Sequence, residues 1–228
     1  MSYNFSPKMV INGLILYLDA ANDRSYSGTG SSWLDLSKSQ QTATLTNGPT
    51  FNTQNGGSIL LDGSNDFILC QSSGTNIFTN QTSYTVSFWL RETTYDGFGS
   101  VVLSSAGASN LFLQITSSAA YIGILGAVNN YLTLPLSLST LTLNKITNFV
   151  FVKDGNTAYL YINDVRYTFP GTANFNFVGT DNTFNIGKYT SGGFELTGNL
   201  YSVSIYNRAL SVTEVSQCYN TTKKRFGL

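Results

Sequence analysis

Apolar and polar residues alternate with a period of two in one short run after another, and Gly, Asn, Asp and Ser punctuate the gaps. Side chains two apart in an extended chain share a face, so each run can bury one face against a second layer. Such runs are GLILYLD (13–19), SILLD (58–62), DFILC (66–70), SYTVSFWLRE (83–92), SVVLSS (100–105) and LFLQIT (111–116). They continue as AYIGIL (120–125), NFVFVKD (148–154), TAYLYIND (157–164), TFNIGK (183–188) and GNLYSVSIYN (198–207). FVFVKDGNTAYLYIND reads as a hairpin whose loop is set by Asp154, Gly155 and Asn156. Strands with no helices between them predict an all-β antiparallel sandwich. No internal repeat or linker divides the chain, and 228 residues suffice for a substantial core, so 1–228 is read as one domain.

The period changes once. Ser211 followed by Glu214 is a capping box, and Val212, Val215 and Tyr219 recur at helical spacing. A short helix is expected there, as a lid on an otherwise open sheet end or edge. Apolar spacing is lost beyond Tyr219, so 221–228 reads as a basic tail outside the core, and 1–11 as an N-terminal arm. Removing Lys223 to Leu228 is therefore expected to leave the folded monomer nearly as stable. The tail gathers Lys223, Lys224 and Arg225, three of the twelve basic residues. It is either solvated, capping the helix dipole, or a docking peptide with Phe226 and Leu228 as apolar anchors.

Several strands carry large residues on both faces. Trp89 lies opposite Val86, Phe88 and Leu90, and Tyr159, Tyr161 and Asn163 lie opposite Leu160 and Ile162. A two-layer sandwich buries one face of each sheet. The face of Trp89, Tyr159, Tyr161 and Asn163 is then covered by loops as a second small core, taken up by a protein partner, or used to stack sugar rings.

Composition excludes several chemistries. The chain has no histidine, which removes His-based triads, His-ligated zinc and a histidine general base. Glutamate occurs only at 92, 195 and 214, and no acidic cluster suits the two flanking carboxylates of a glycosidase. Only Asp96 stands near Glu92, in the TTYDGFG loop, and GTGSSW (28–33) is not followed by a helix pattern, so it reads as a surface loop. Net charge is zero, with 11% charged residues, so no global field draws in nucleic acid. The surface is polar through Ser, Thr and Asn, about a third of the chain. No segment is long and apolar enough to span a membrane, and the N-terminus has no basic, apolar signal pattern. Cys70 and Cys218 read as two free thiols, with a disulfide between them as the alternative. DGSNDF (62–67) and DAAND (19–23) are oxygen-rich and serve either as turns or as calcium ligands.

GLILYLDAAN, SILLDGSNDFI, YTVSFWLRE, FVFVKDGNTAYLYINDV and FNIGKYTSGGFELTGNLYSVSIYNRALSVTEV follow one another in a recognisable order. Over about residues 12–216 the chain resembles a laminin-G-like domain of the concanavalin A-like lectin/glucanase superfamily. Where that family usually has Trp before FVFVKDG, this chain has Asn148-Phe149. The resemblance implies a jelly-roll sandwich of two curved sheets, with the first and last strands paired. GLILYLDAANDRSY and the segment from YNRALS onward look in particular like free-standing versions among structural proteins of tailed bacteriophages. The implied function is a non-enzymatic structural or adhesive module of a virion, as capsid decoration or tail appendage. Its expected partners are virion proteins, further copies of itself and cell-surface polysaccharide, with no nucleic acid and no membrane insertion. The alternatives are a stand-alone carbohydrate-binding lectin and a degenerate glycoside hydrolase.

Overall fold

Two antiparallel sheets face each other across a core drawn from alternate residues of nearly every strand. Numbered in chain order, the first sheet runs β13 (Val165–Thr168), β12 (Thr157–Ile162), β11 (Thr147–Asp154), β6 (Ser83–Glu92), β15 (Thr197–Tyr206), β4 (Ser58–Asp62) and β3 (Thr50–Asn52). There β1 (Leu14–Asp19) pairs with the second half of β15, placing Leu16 opposite Ile205 and Leu18 opposite Val203. The second sheet runs β10 (Asn130–Pro135), β9 (Ala119–Gly126), β8 (Ser109–Ile115), β7 (Ser100–Ser105), β14 (Thr183–Ile186), β5 (Phe67–Gln71) and β2 (Thr42–Thr46). The computed structural model describes residues 8–72, 74, 77–95, 100–105, 109–126, 130–137, 143–177, 181–190 and 192–228. The fold is all-β, a jelly-roll sandwich with one short C-terminal helix, as the alternation and the resemblance imply.

The period-two pattern decides what is buried. Val86, Phe88, Phe149, Phe151 and Leu160 of the first sheet meet Ile68, Leu113, Ile122, Phe184 and Ile186 of the second. Phe78 wedges between Tyr84 and Phe184, edge to face, at 5.4 and 5.7 Å. Cys70 is buried in this core, Cys218 lies on the helix outside it, and both thiols are free.

The helix α1 (Val212–Thr222) opens with the expected capping box: Ser211 Oγ accepts from Glu214 N at 3.3 Å, and Glu214 Oε2 accepts from Ser211 N at 2.9 Å. It does not cover a sheet edge. Val215 instead packs with Val150 and Val152 of β11, Tyr161 of β12, Tyr206 of β15, Leu210 and Val10. The reason is that the outer face of these strands is itself apolar, and leaving it wet costs more than leaving a short edge open. Val10, in the described part of the N-terminal arm, joins this second cluster, and its carbonyl accepts from Tyr206 Oη at 3.0 Å. Residues 1–7 lie outside the described residues.

The segment after α1 also differs from the expectation of a tail outside the core. The helix runs through Thr222, past the expected boundary, and Lys223–Phe226 continue as a 3-10 turn against the first sheet. Among the described residues, no helix is long and apolar enough to cross a membrane.

Candidate functional site

Outward positions of β6 place Thr85, Ser87, Trp89 and Arg91 on the outer face of the first sheet, since Val86, Phe88 and Leu90 face the core. Trp89 is only 4% exposed. Tyr219 lies parallel to it at 5.6 Å and 10°, and Phe226 meets it at 4.6 Å. The ring of Tyr201 closes on Phe226 at 5.1 Å, edge to face. Arg225 anchors this segment through Asp19 Oδ1 at 2.7 Å, the Asn55 carbonyl at 2.8 Å and the Gly57 carbonyl. Lys223 sits over the Tyr219 ring at 5.1 Å, while Lys224 and Leu228 are exposed. Lys223 and Arg225 thus have intramolecular partners that no local spacing announces.

The other three residues of the expected aromatic face do not join Trp89 in one platform. Tyr161 is 2% exposed, in the second cluster under α1, and Tyr159 is half-buried with the Arg166 guanidinium over its ring at 5.2 Å. Asn163 occupies the β12–β13 turn at φ 48° and its Oδ1 accepts from Asn148 N at 2.9 Å. Asn148 donates through Nδ2 to Ser87 Oγ at 3.2 Å and the Phe88 carbonyl at 3.0 Å. Under α1, Ser87, Asn148, Ser202, Ser204 and Tyr17 line a cavity of about 20 Å³, room for one water.

A second aromatic group lies on the outer face of the other sheet. Leu111, Leu113, Ala120, Ile122, Leu132 and Leu134 face the core, so Phe112, Tyr121 and Tyr131 face outward. Register makes Gly123 the pairing partner of both Phe112 and Tyr131, and Tyr121 the partner of Gln114 and Thr133. A Cβ at Gly123 would stand 2.4 Å from Tyr131 Cβ, so the absent side chain lets the Tyr131 ring lie close to the sheet. Tyr131 meets Phe112 at 5.7 Å and Tyr121 at 6.0 Å, both edge to face. Tyr131 is 44% exposed and Tyr121 half-buried, so their rings and hydroxyls reach solvent. No local pattern announces this group, because the cluster depends on the register of three strands.

The three glutamates are either paired or buried. Arg208 forks onto Glu214 at 2.6 and 2.9 Å, holding that carboxyl well below the usual range, to about 2. Glu195 pairs with Lys188 at 3.5 Å. Glu92 is buried, and desolvation pushes its pKa up to about 8, although the Ser100 and Tyr95 hydroxyls lie near. Asp62 Oδ1 accepts from Ser64 N at 2.8 Å and Asp66 Oδ2 from Asp62 N at 3.1 Å, as in a tight turn. Among the described residues no three of His, Cys, Asp and Glu gather as metal ligands. Asp96 lies outside the described residues.

Comparison with solved structures places this architecture beside toxin binding domains. The chain is similar to the binding domain of botulinum neurotoxin serotype D, with 17% identity and a TM-score of 0.70 over 91% of this chain and 50% of that one. For the serotype G binding domain the values are 19%, 0.66, 90% and 50%. For the binding domain of Paraclostridial Mosquitocidal Protein 1 they are 16%, 0.70, 92% and 52%. The chain spans about half the length of these structures, and at such identities the likeness is one of fold. Comparison with curated proteins finds no match. Residues 62–216, about two thirds of the chain, match the family model Laminin_G_3, and the chain belongs to this family of the concanavalin A-like lectin/glucanases superfamily.

Proposed function

We propose that the protein is a non-enzymatic adhesive module that binds carbohydrate through Tyr121 and Tyr131, with the buried Phe112 ring backing Tyr131. The observation that carries this reading is the solvent-facing pair of tyrosines over the Gly123 floor. A sugar ring has an apolar face and a polar rim, and an exposed tyrosine offers a flat ring with a hydroxyl at its edge. Thr133, beside Tyr121 in the ladder, adds a hydroxyl at the same surface. The fold likeness to receptor-binding domains of botulinum neurotoxins supports an adhesive role. The non-enzymatic reading rests on the carboxylates: Glu195 and Glu214 are tied to cations and Glu92 is buried. Retaining or inverting hydrolysis needs two carboxyls flanking one bond.

The setting we propose is a virion, as capsid decoration or tail appendage, supported by the resemblance of both ends of the chain to free-standing phage domains. A glycan array on the wild type, Tyr131→Ala and Tyr121→Ala tests the site. Binding to a defined glycan class should fall at least tenfold in both variants, with the melting temperature nearly unchanged for Tyr131→Ala. No glycan bound, or variants that bind like wild type, would remove the carbohydrate reading. Sugar release in a reducing-end assay would favour the degenerate hydrolase. Absence of the chain from purified particles by mass spectrometry would remove the virion setting.

A further inference from the structure

The outer face of the first sheet carries a socket shaped for an Arg-Phe pair. Two of the three acceptors around the Arg225 guanidinium, the Asn55 and Gly57 carbonyls, come from one turn. In it Asn55, Gly56 and Gly57 are all left-handed, at φ 53°, 81° and 131°. A side chain at Gly57 would bring its Cβ to 2.5 Å from the Ala20 carbonyl oxygen. The turn is therefore bent hard against the end of β1, in a conformation that non-glycine residues rarely hold, and it aims two carbonyls at the cation beside Asp19. The ring half of the socket is also a local irregularity. Register slips between Leu200 and Ser202, so Tyr201 is the extra residue of a bulge in β15. Bulges re-aim side chains, and here the Tyr201 ring turns toward Phe226 to complete a clamp with Trp89.

The segment that fills this socket is held differently from the start of α1. Val215 sits on apolar Val150, Val152 and Tyr206. From Tyr219 onward the sheet beneath offers Ser87, Asn148, Ser202 and Ser204, with a one-water cavity. Lifting this part loses the Arg225 contacts to Asp19, Asn55 and Gly57, the clamped Phe226 ring and the Tyr219–Trp89 stack, and these are contacts that a second copy can remake. Arg, Trp and Tyr in a small clamp are the residue types that dominate binding energy at protein interfaces.

We propose that the socket accepts the Arg225–Phe226 segment of a second copy of the chain, so that neighbouring copies exchange these segments in an assembly. The contacts are the same within one chain and between two, so exchange forfeits none of them. What opposes it is the tether, which holds the chain's own segment at an effective concentration on the order of millimolar. Exchange therefore belongs to densely packed copies, and a chain of zero net charge opposes such packing little. The proposal is independent of glycan binding.

The test uses the full chain carrying both Arg225→Ala and Phe226→Ala, which disables its own plug and leaves the socket intact. The probe is a synthetic peptide of residues 219–228, YNTTKKRFGL. Indole emission reads docking, because Trp89 is one wall of the clamp, whereas Trp33 is buried in the sandwich core and gives a constant background. A saturable change is expected with the double variant, at least tenfold weaker when the peptide carries Arg225→Ala and Phe226→Ala. The wild type, already plugged, should not respond at the same concentrations. In sedimentation velocity toward millimolar protein, the wild type should form dimers that the double variant alone does not. Lack of saturable binding, or equal self-association of the two proteins, overturns the proposal. If the double variant loses its native far-UV spectrum, Arg225→Gln replaces it and should take up the peptide at least tenfold more readily than the wild type, equality again being the overturning result.

Discussion

Phe226 stands 4.6 Å from Trp89, centroid to centroid, with Tyr201 closing on it at 5.1 Å. A residue that sequence spacing places in a tail outside the core, solvated or docking elsewhere, is therefore part of a three-ring cluster on the sheet. Phe226→Ala should lower stability by about 1.5–3 kcal/mol, from lost apolar burial and ring pairing. Removing Lys223 to Leu228 should cost more, because it also strips Arg225 from Asp19. Denaturant unfolding monitored by far-UV circular dichroism checks both. Midpoints equal to the wild type's would return the segment to the solvated tail.

The cap at Ser211 carries a second expectation. Ser211→Ala should cost about 1 kcal/mol, through the orphaned amide of Glu214. Glu214 adds a pH signature. Its carboxyl is depressed from 4.5 to about 2, chiefly by the hydrogen bonds from Arg208. A depressed carboxyl stabilises the fold fully above its unfolded value and loses that contribution as pH falls through its folded value. Glu214→Gln should therefore cost stability at pH 7 and little at pH 2. The pair is partly open to solvent, with 28% exposure on each side, so the gain is modest, about 1 kcal/mol. A wild type and variant that differ equally at both pH values would contradict it.

Local pattern made some of this molecule legible and not the rest. SYTVSFWLRE, NFVFVKD and GNLYSVSIYN declare β6, β11 and β15 because their inner faces are large and unbroken. S-x-x-E declares α1, because a capping box is complete within four residues. Four strands escaped. β2 (TATLT) brings only Ala43 and Leu45 to the core, and β3 (TFN) is three residues long. β13 is a mostly exposed edge strand, and β10 ends on Pro135, which cannot donate to a ladder. The site was harder still. Whether Trp89 is open or covered depends on Phe226, far away in the chain. The aim of Tyr201 depends on a bulge, and the Tyr121–Tyr131 group depends on register. None of these has a period to read.

Metal removal bears on the oxygen-rich turns. Asp62 Oδ1 already accepts from Ser64 N, Asp66 Oδ2 from Asp62 N, and Asp19 Oδ1 from Ala21 N and Arg225. Oxygens satisfied by backbone amides and a guanidinium are turn formers, and calcium would have to displace those donors. EDTA should therefore leave the melting temperature nearly unchanged. A bound ion far above its dissociation constant adds about 3–4 kcal/mol, so a drop of many degrees, restored by calcium but not by magnesium, would identify a site these contacts do not suggest.

Glu92 gives the clearest pH dependence. It ends β6 with 2% exposure, and neither of its carboxyl oxygens completes a hydrogen bond among the described residues. Burial raises its pKa from 4.5 to about 8, and the nearby Ser100 and Tyr95 hydroxyls offset only part of that rise. At neutral pH the folded protein therefore holds a proton that the unfolded chain has released. A group raised in this way favours the fold fully below its unfolded value, and that contribution is lost as pH rises through its folded value. Within the window from 4.5 to about 8, this one group makes stability fall by about 1.4 kcal/mol per pH unit. Glu92→Gln keeps the shape and removes the titration. The variant should match the wild type near pH 4, and its relative stability should climb through neutrality and level off above pH 8. The check is denaturant unfolding of both proteins at unit steps of pH from 4 to 9. Parallel stability profiles would mean that Glu92 ionises in the folded state as readily as in the unfolded one, the Ser100 and Tyr95 hydroxyls then offsetting the whole cost of burial.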